Sequence, residues 1–464
     1  MDREKEISAD IGILGGGPAG YVAAIRAAQL GAKVVLIEEK EVGGVCLNAG
    51  CIPTKALLKT AETVSAVKKS KEFGIRSSVE SIDWAAAVNR KNRIVKSLHS
   101  GLGQLLDSKG IIVVKGKGAV VSDKRLFVQT QQEAVQINCG KIILTTGAVP
   151  LLPNITGIDL DGVITSNEAL SLNTLPESIV IIGAGVIGLE FATMLSLSGV
   201  KVTVIELLDR ILPDEDAEIA AELLKIMKRK GITFKLSALV TEIKETDDGL
   251  AVAYTMDETE FVQPCGKVLV SVGRRLNTDA FRDLPLHIEK GAVAVDENME
   301  TNIKGIYAAG DITGGKLLAH LAFMEGRCAA ESAMGFPGQA INYSAVPACI
   351  YTDPEVSSVG MTEEKATRAG ISVKAGRFNF RSNGRALTLG EREGFVKVIA
   401  DQDGVIIGGQ IVAANASEMI SELTLAITLK AKASDLANMI HPHPTLNEAI
   451  WEACGDILGI AIHK

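Results

Sequence analysis

The chain has 464 residues, 47 % of them hydrophobic, which is enough for several cores and too long for one compact domain. Its 48 basic and 56 acidic residues leave a net charge of −8 with no Lys/Arg run, which argues against nucleic acid as a partner. No apolar run reaches membrane-spanning length, and the charged start Met1 to Asp10 lacks a signal core, so the expected location is the cytoplasm.

Residues 9–38 read as strand, glycine turn, helix and strand. Ile11 to Leu14 is the first strand, Gly15-Gly16-Gly17-Pro18-Ala19-Gly20 the turn, Tyr21 to Leu30 the helix, and Lys33 to Ile37 a second strand ending in Glu38. Two cysteines, Cys46 and Cys51, follow at once. Ser81 to Asp107 reads as a helix, and residues 111–146 as short strands ending in Lys141-Ile-Ile-Leu-Thr-Thr-Gly147. Residues 179–206 then repeat the opening plan, about 170 residues on. Ile179 to Ile182 leads into Gly183-Ala184-Gly185-Val186-Ile187-Gly188, then a helix Leu189 to Leu197 and a strand Val200 to Ile205 ending in Glu206. Residues 275–345 contain Gly305-Ile-Tyr-Ala-Ala-Gly-Asp311. From about 346 the pattern changes to alternating strands, Phe395 to Ala400 and Val405 to Val412, with helices from Glu418 on, a separate α+β domain.

Both glycine turns have the dinucleotide spacing, Gly15-x-Gly17-x-x-Gly20 and Gly183-x-Gly185-x-x-Gly188. The first glycine permits the tight turn, the second lets backbone approach a pyrophosphate, and the third lets helix and strand close up. Glu38 and Glu206 end the second strands, where a carboxylate holds a ribose 2′-hydroxyl. At Glu206 it also repels a 2′-phosphate, which favours NAD over NADP.

Seven cysteines are present, and Cys139, Cys265, Cys328, Cys349 and Cys454 sit alone in apolar surroundings as expected core residues. Cys46 and Cys51 are five apart, and an ideal helix would hold their Cα atoms about 8.6 Å apart. A disulfide needs roughly 4.4–6.8 Å, so a bridge requires a distorted turn, which Gly50 permits. Two free thiols or half a metal site are the other readings, though no further ligands stand nearby. Near the C-terminus, His441-Pro442-His443-Pro444-Thr445-Leu446-Asn447-Glu448 places a histidine on a proline-stiffened loop before a helix. Thr445 and Glu448 fit a capping box.

Together the cysteine segment Gly43-Gly-Val-Cys-Leu-Asn-Ala-Gly-Cys-Ile-Pro-Thr-Lys55, the two glycine turns, the Gly305–Asp311 segment and the His-Pro-Thr segment resemble the pyridine nucleotide–disulfide oxidoreductases. The resemblance spans nearly the whole chain in the right order. It implies an α/β fold: an FAD-binding Rossmann-like domain over 1–149, an NAD-binding one over 150–274, a region 275–345 completing the FAD part, and a C-terminal α+β dimerisation domain over 346–464. By the same resemblance FAD lies against Gly15, Gly17, Gly20, Glu38, Gly118, Gly147 and Asp311, with Lys55 by the flavin and Ala319 lining its ring. NAD takes Gly183, Gly185, Gly188, Glu206 and Gly273, with Glu190 where the nicotinamide docks. The wording of the cysteine segment is closest to the branch that oxidises dihydrolipoamide. There Cys46 and Cys51 form a redox disulfide, His443 oriented by Glu448 is the base, and the partners are a second subunit and the lipoyl-bearing proteins of α-keto acid dehydrogenase or glycine cleavage complexes. An NADP-linked, glutathione-reducing member would carry Arg by Glu206, and Arg210 comes four residues late. A mercury-reducing member would carry adjacent cysteines near the C-terminus, where Cys454 stands alone. A non-catalytic binding subunit would have no need of Cys46, Cys51 and His443 together. Pro442 and Leu276 depart from the family wording, which expects Ala and Pro.

Overall fold

The computed structural model describes residues 5–337 and 340–464. Contacts divide it into two compact units. The first comprises Met1–Ala56, Ala86–Leu151 and Gly273–Ile341, and the second Leu57–Ala85, Leu152–Val272 and Asn342–Lys464.

In the first unit the strands Ile112–Lys115, Val34–Glu38, Lys5–Leu14 and Ala134–Leu144 lie parallel in that order, and Ile306–Ala308 adds to the last. Arg125–Gln129 and Lys117–Ser122 extend the sheet antiparallel. The run Val34-Val35-Leu36-Ile37 is buried on both faces, which is why it reads as continuous rather than alternating. Val34 and Leu36 join one core, Val35 and Ile37 the other. Burying one such side chain stabilises by about 1.5–3 kcal/mol. The first helix, Pro18–Gln29, opens with proline at its start, three residues before the expected Tyr21, because a missing N–H costs nothing there. Its alanine face, Ala19, Ala23 and Ala27, packs on helix Ala319–Ala333. The approach is so close that a Cβ on Gly326 would lie 2.2 Å from the Ala19 carbonyl oxygen. The long helix begins at Trp84 rather than Ser81.

In the second unit Thr233–Lys235, Lys201–Ile205, Ser178–Ile182, Lys267–Val270 and Val163–Ile164 form a parallel sheet. Helix Val186–Leu197 follows the glycine turn as in the first unit. A three-stranded antiparallel meander over 239–265 packs beside the sheet, an element the sequence reading did not foresee. The C-terminal sheet runs Ala348–Ile350, Glu355–Gly360, Ile406–Ala413, Phe395–Asp401, Val373–Asn379, all antiparallel. Helices Ala416–Leu429 and Glu448–Leu458 close a core around Phe380, Ile411, Leu423 and Ile450. Among the described residues no helix is long and apolar enough to cross a membrane.

Candidate active site

The two glycine turns have the same construction. In each, the first and third glycines are demanded by the protein itself. A Cβ on Gly15 would lie 2.2 Å from the Thr145 carbonyl oxygen, and one on Gly20 1.8 Å from that of Gly15. The counterparts are Gly183, 2.5 Å from the Ser271 oxygen, and Gly188, 2.2 Å from the Gly183 oxygen. The second glycine is not demanded. A Cβ on Gly185 would meet nothing within 4 Å, and one on Gly17 only the Gly44 Cα at 3.9 Å. Each turn therefore keeps a space that no protein atom uses, at the N-terminus of a helix without a side-chain cap. Free amides and the helix dipole favour an anion there, so the residues present fit the pyrophosphates of FAD and NAD.

The strand-end carboxylates match as well. Glu38 accepts the Gly16 N–H at 2.8 Å and the Lys40 N–H at 2.8 Å. Glu206 accepts those of Ala184 at 2.6 Å and Leu208 at 2.9 Å. Each acid is thus fixed at the mouth of its turn by two backbone donors, with oxygen lone pairs left for a sugar hydroxyl.

The cysteines lie on the first turn's flank. Helix Gly44–Ala49 carries Cys46, the backbone breaks at Gly50, and helix Cys51–Lys69 begins. The break is the distortion expected of Gly50. Gly44 faces the fingerprint so closely that a Cβ would sit 2.6 Å from Gly17 Cα. The Asn48 amide nails down the preceding loop through the carbonyls of Glu41, Val42 and Gly44. Both cysteines are half-buried. The Cys46 thiol is hydrogen-bonded to Cys51, and this bond, burial and the Cys51 charge raise it far above an ordinary thiol, against Lys55 one turn on. Among the described residues no group of three His, Cys, Asp or Glu is placed to hold a metal.

The remaining residues expected at the flavin also fall in this unit. Thr145 Oγ1 donates to the Gly15 oxygen at 2.8 Å, and Gly147 accepts the Asn277 N–H at 2.9 Å. Gly118 is needed for packing, since a Cβ would lie 2.5 Å from Leu14 Cδ1. Asp311 starts a short helical turn and Ala319 the helix after it. Burial raises the Asp311 carboxyl, opposed by Arg274. Arg274 is itself lowered by burial while the charges of Asp311 and Cys51 oppose. It is a residue the sequence reading passed over; the signal available was an arginine pair beside Gly273 on strand Arg274–Leu276. Gly273, expected with NAD, belongs to this first unit, where its oxygen accepts the Leu151 N–H. Leu276 lies opposite Ala148 and packs against the core, a role that needs the side chain.

The second unit holds Gly183, Gly185, Gly188, Glu190, Glu206, His443 and Glu448. Glu190 is 5 % exposed and accepts the Tyr351 N–H at 3.1 Å. His443 Nδ1 lies 2.8 Å from Glu448 Oε1, and Thr445 N–H donates to Oε2 at 2.8 Å. The expected capping box is therefore only half made: the helix starts at Glu448 behind Asn447, and the Thr445 hydroxyl donates to the Pro442 oxygen instead. Burial pushes the Glu448 carboxyl up, but the Thr445 N–H, His443 and His441 outweigh it and hold it below the usual glutamate value. A carboxylate the sequence reading missed completes the loop. Glu422 binds His441 Nε2 at 2.8 Å and the Asn447 amide at 2.7 Å. Of the five cysteines expected in cores, Cys349 is only half-buried and the other four are buried.

Residues 9–326 match the family pyridine nucleotide-disulphide oxidoreductase, and residues 346–454 its dimerisation domain. The chain is 41 % identical to a dihydrolipoyl dehydrogenase of Bacillus subtilis over 98 % of its length and 99 % of the relative's. It is 41 % identical to that of Geobacillus stearothermophilus, over 97 % and 96 %. Among solved structures, LpdA from Mycobacterium tuberculosis superposes with a TM-score of 0.89 at 28 % identity, covering 97 % of this chain and 99 % of that one. The HOCl-induced flavoprotein disulfide reductase RclA from Escherichia coli does so with 0.86 at 28 %, over 96 % and 99 %.

Proposed function

The chain belongs to the pyridine nucleotide–disulphide oxidoreductase family, and from that premise we propose that it oxidises dihydrolipoamide to lipoamide with NAD as acceptor. One observation carries the reading: the helix that bears the first of two hydrogen-bonded cysteines starts hard against a phosphate-type turn, at Gly44 on Gly17, in a chain that holds a second such turn. FAD, when bound, supplies the two-electron acceptor between the dithiol and NAD.

The residues divide the work. Glu448 engages His443 Nδ1 and leaves Nε2 to take a proton from a substrate thiol. The thiolate attacks Sγ of Cys46 in the Cys46–Cys51 disulfide, and Cys51 leaves as thiolate. The second substrate sulfur then attacks the first within the mixed disulfide and lipoamide departs. His443 gives the proton it holds to the leaving Cys46 sulfur and takes that of the second thiol, so the step ends with Cys46 a thiol, Cys51 a thiolate and His443 protonated. The strongly raised Cys46 thiol fits this end state, a protonated Cys46 donating to Cys51. Arg274, which feels the Cys51 charge, favours the thiolate. We assign the FAD contacts to Gly15, Gly17, Gly20, Glu38, Lys55, Gly118, Gly147, Asp311 and Ala319, and the NAD contacts to Gly183, Gly185, Gly188, Glu190, Glu206 and Gly273. The divisions at 149, 274 and 345 belong to the same assignment.

The chain carries a dimerisation domain. His443 is 79 % exposed there, beside Ile440 at 94 %, which supports a base that serves the cysteine pair of a second subunit in a homodimer. Lipoyl-bearing proteins of α-keto acid dehydrogenase or glycine cleavage complexes are the proposed partners, in the cytoplasm. Anaerobic titration decides the matter. Dihydrolipoamide should bleach the flavin absorbance, and NAD should restore it as NADH appears, with NADP ineffective. Flavin that ignores dihydrolipoamide would sink the substrate assignment.

A further inference from the structure

The most enclosed charged group in the second unit takes no part in the chemistry above. Lys397, on strand Phe395–Asp401 of the C-terminal module, is 1 % exposed. Its ammonium meets Asp216 at 2.9 Å, Glu363 at 2.5 Å and Glu218 at 3.3 Å. Arg377 closes the cluster through Glu218 at 2.8 Å and Glu363 at 2.9 Å. Lys397 and Asp216 form the buried pair of this cluster, and replacing such a pair by apolar groups is often neutral or stabilising, so net stability is a weak reason for it. What it does achieve is to fix one point of the backbone.

That point ends the loop 207–216. Asp216 is 2 % exposed and caps helix Ala217–Arg229 by accepting the Glu218 N–H at 3.0 Å. The loop begins at Glu206, whose carboxylate holds the Ala184 N–H. In its middle the Leu212 N–H donates back to the Ala184 oxygen at 3.1 Å. Loop and glycine turn are thus laced together through both polar groups of Ala184. Leu212 is buried with φ +46, a left-handed conformation that costs a branched side chain roughly 1–2 kcal/mol. Such strain persists only where the surrounding structure holds it, and here burial of Leu212, its bond to Ala184 and the anchored Asp216 all do so. Two outer ties from the C-terminal module hold it as well: Arg210 to Glu364 at 3.3 Å and Lys365 Nζ to the Asp214 oxygen at 3.0 Å.

We propose that Lys397, with Arg210 and Lys365, is a positioning residue for NAD: by clamping Asp216 and the loop 207–216 it holds Glu206 and the Gly183–Gly188 turn in the geometry that receives the dinucleotide. The proposal rests on the reading that this turn binds NAD. It makes the C-terminal module a determinant of NAD affinity without touching NAD.

The test uses the FAD-loaded enzyme and three variants. Lys397→Met should raise the KM for NAD by about 3- to 30-fold, the range for residues that couple to a site they do not touch. The kcat at saturating NAD and the rate of flavin bleaching by dihydrolipoamide should stay within about twofold, which a merely structural lesion would not spare. Should Lys397→Met fail to fold, the surface double variant Arg210→Ala/Lys365→Ala decides, with an expected rise at the low end of that range. Glu206→Gln is the control. If it raises the NAD KM while the other variants leave it at the wild-type value, or lower the bleaching rate equally, the positioning role is refuted. If Glu206→Gln itself leaves NAD binding unchanged, the underlying assignment of the turn falls, and the proposal with it.

Discussion

Gly185→Ala separates what the protein needs from what its ligand needs. The backbone at Gly185 has φ −77° and ψ −176°, an extended conformation open to any residue. The added methyl would meet nothing within 4 Å. Alanine there also reduces the freedom of the unfolded chain, so stability should hold or rise by about 0.4–1 kcal/mol. Gly188→Ala is the contrast: its methyl would lie 2.2 Å from the Gly183 oxygen, and backbone must move. That change should cost about 2 kcal/mol or more, typical of forced overpacking. In Gly185→Ala the methyl occupies the space proposed for the pyrophosphate. Losing one or two charge-assisted hydrogen bonds, about 1.5–3 kcal/mol each, raises the NAD KM at least about tenfold. Thermal unfolding of the FAD-loaded enzyme, the NAD KM and the bleaching rate by dihydrolipoamide are the three readouts. The expected pattern is an unchanged or higher Tm, a much higher KM and an unchanged bleaching rate. An unchanged KM would refute the claim that the second glycine is kept for the dinucleotide, and a Tm loss like that of Gly188→Ala would refute the claim that the protein does not need it.

Glu448→Gln leaves one acceptor for two donors, His443 and the Thr445 N–H. Bleaching by dihydrolipoamide should slow about 10- to 100-fold, matching one lost charge-assisted bond, while NADH-driven reduction of an artificial acceptor persists; equal losses in both assays would count against the base assignment. Cys46→Ser and Cys51→Ser should each abolish dihydrolipoamide oxidation with FAD retained, and full activity in either would contradict the disulfide mechanism. His441 is raised above its ordinary value, first by its hydrogen bond to Glu422 and against burial. Its folded pKa exceeds the unfolded one, so the stabilisation is complete below the unfolded value of about 6.5 and fades as pH rises through the raised one. The Tm gap between wild type and His441→Asn should therefore shrink with rising pH, and a gap constant from about pH 5.5 to about pH 9 would contradict this.

Much of the site was legible because its determinants are local. A glycine turn, the helix behind it and the acid ending the next strand are written within about 25 residues, and backbone sterics and hydrophobic period decide them there. Both βαβ units, the break at Gly50 and the Glu448–His443 pair, five residues apart, belong to this class. The capping box was misread because Thr445 found a nearer acceptor in Pro442, a choice that depends on the loop's final path.

Residue types and spacing by themselves determined that this protein has two glycine turns of dinucleotide spacing, two cysteines five residues apart across a glycine, and a histidine between two prolines. Tertiary structure alone decided what surrounds them. Thr145 closes on Gly15 across 130 residues, the charges of Asp311 and Cys51 act on Arg274, and Lys397 meets Asp216 across 181. These partners are chosen by the packing of whole sheets and helices, and a charge is fixed in a dry interior only where that packing brings its counter-charge. No window of sequence contains both halves of such a choice.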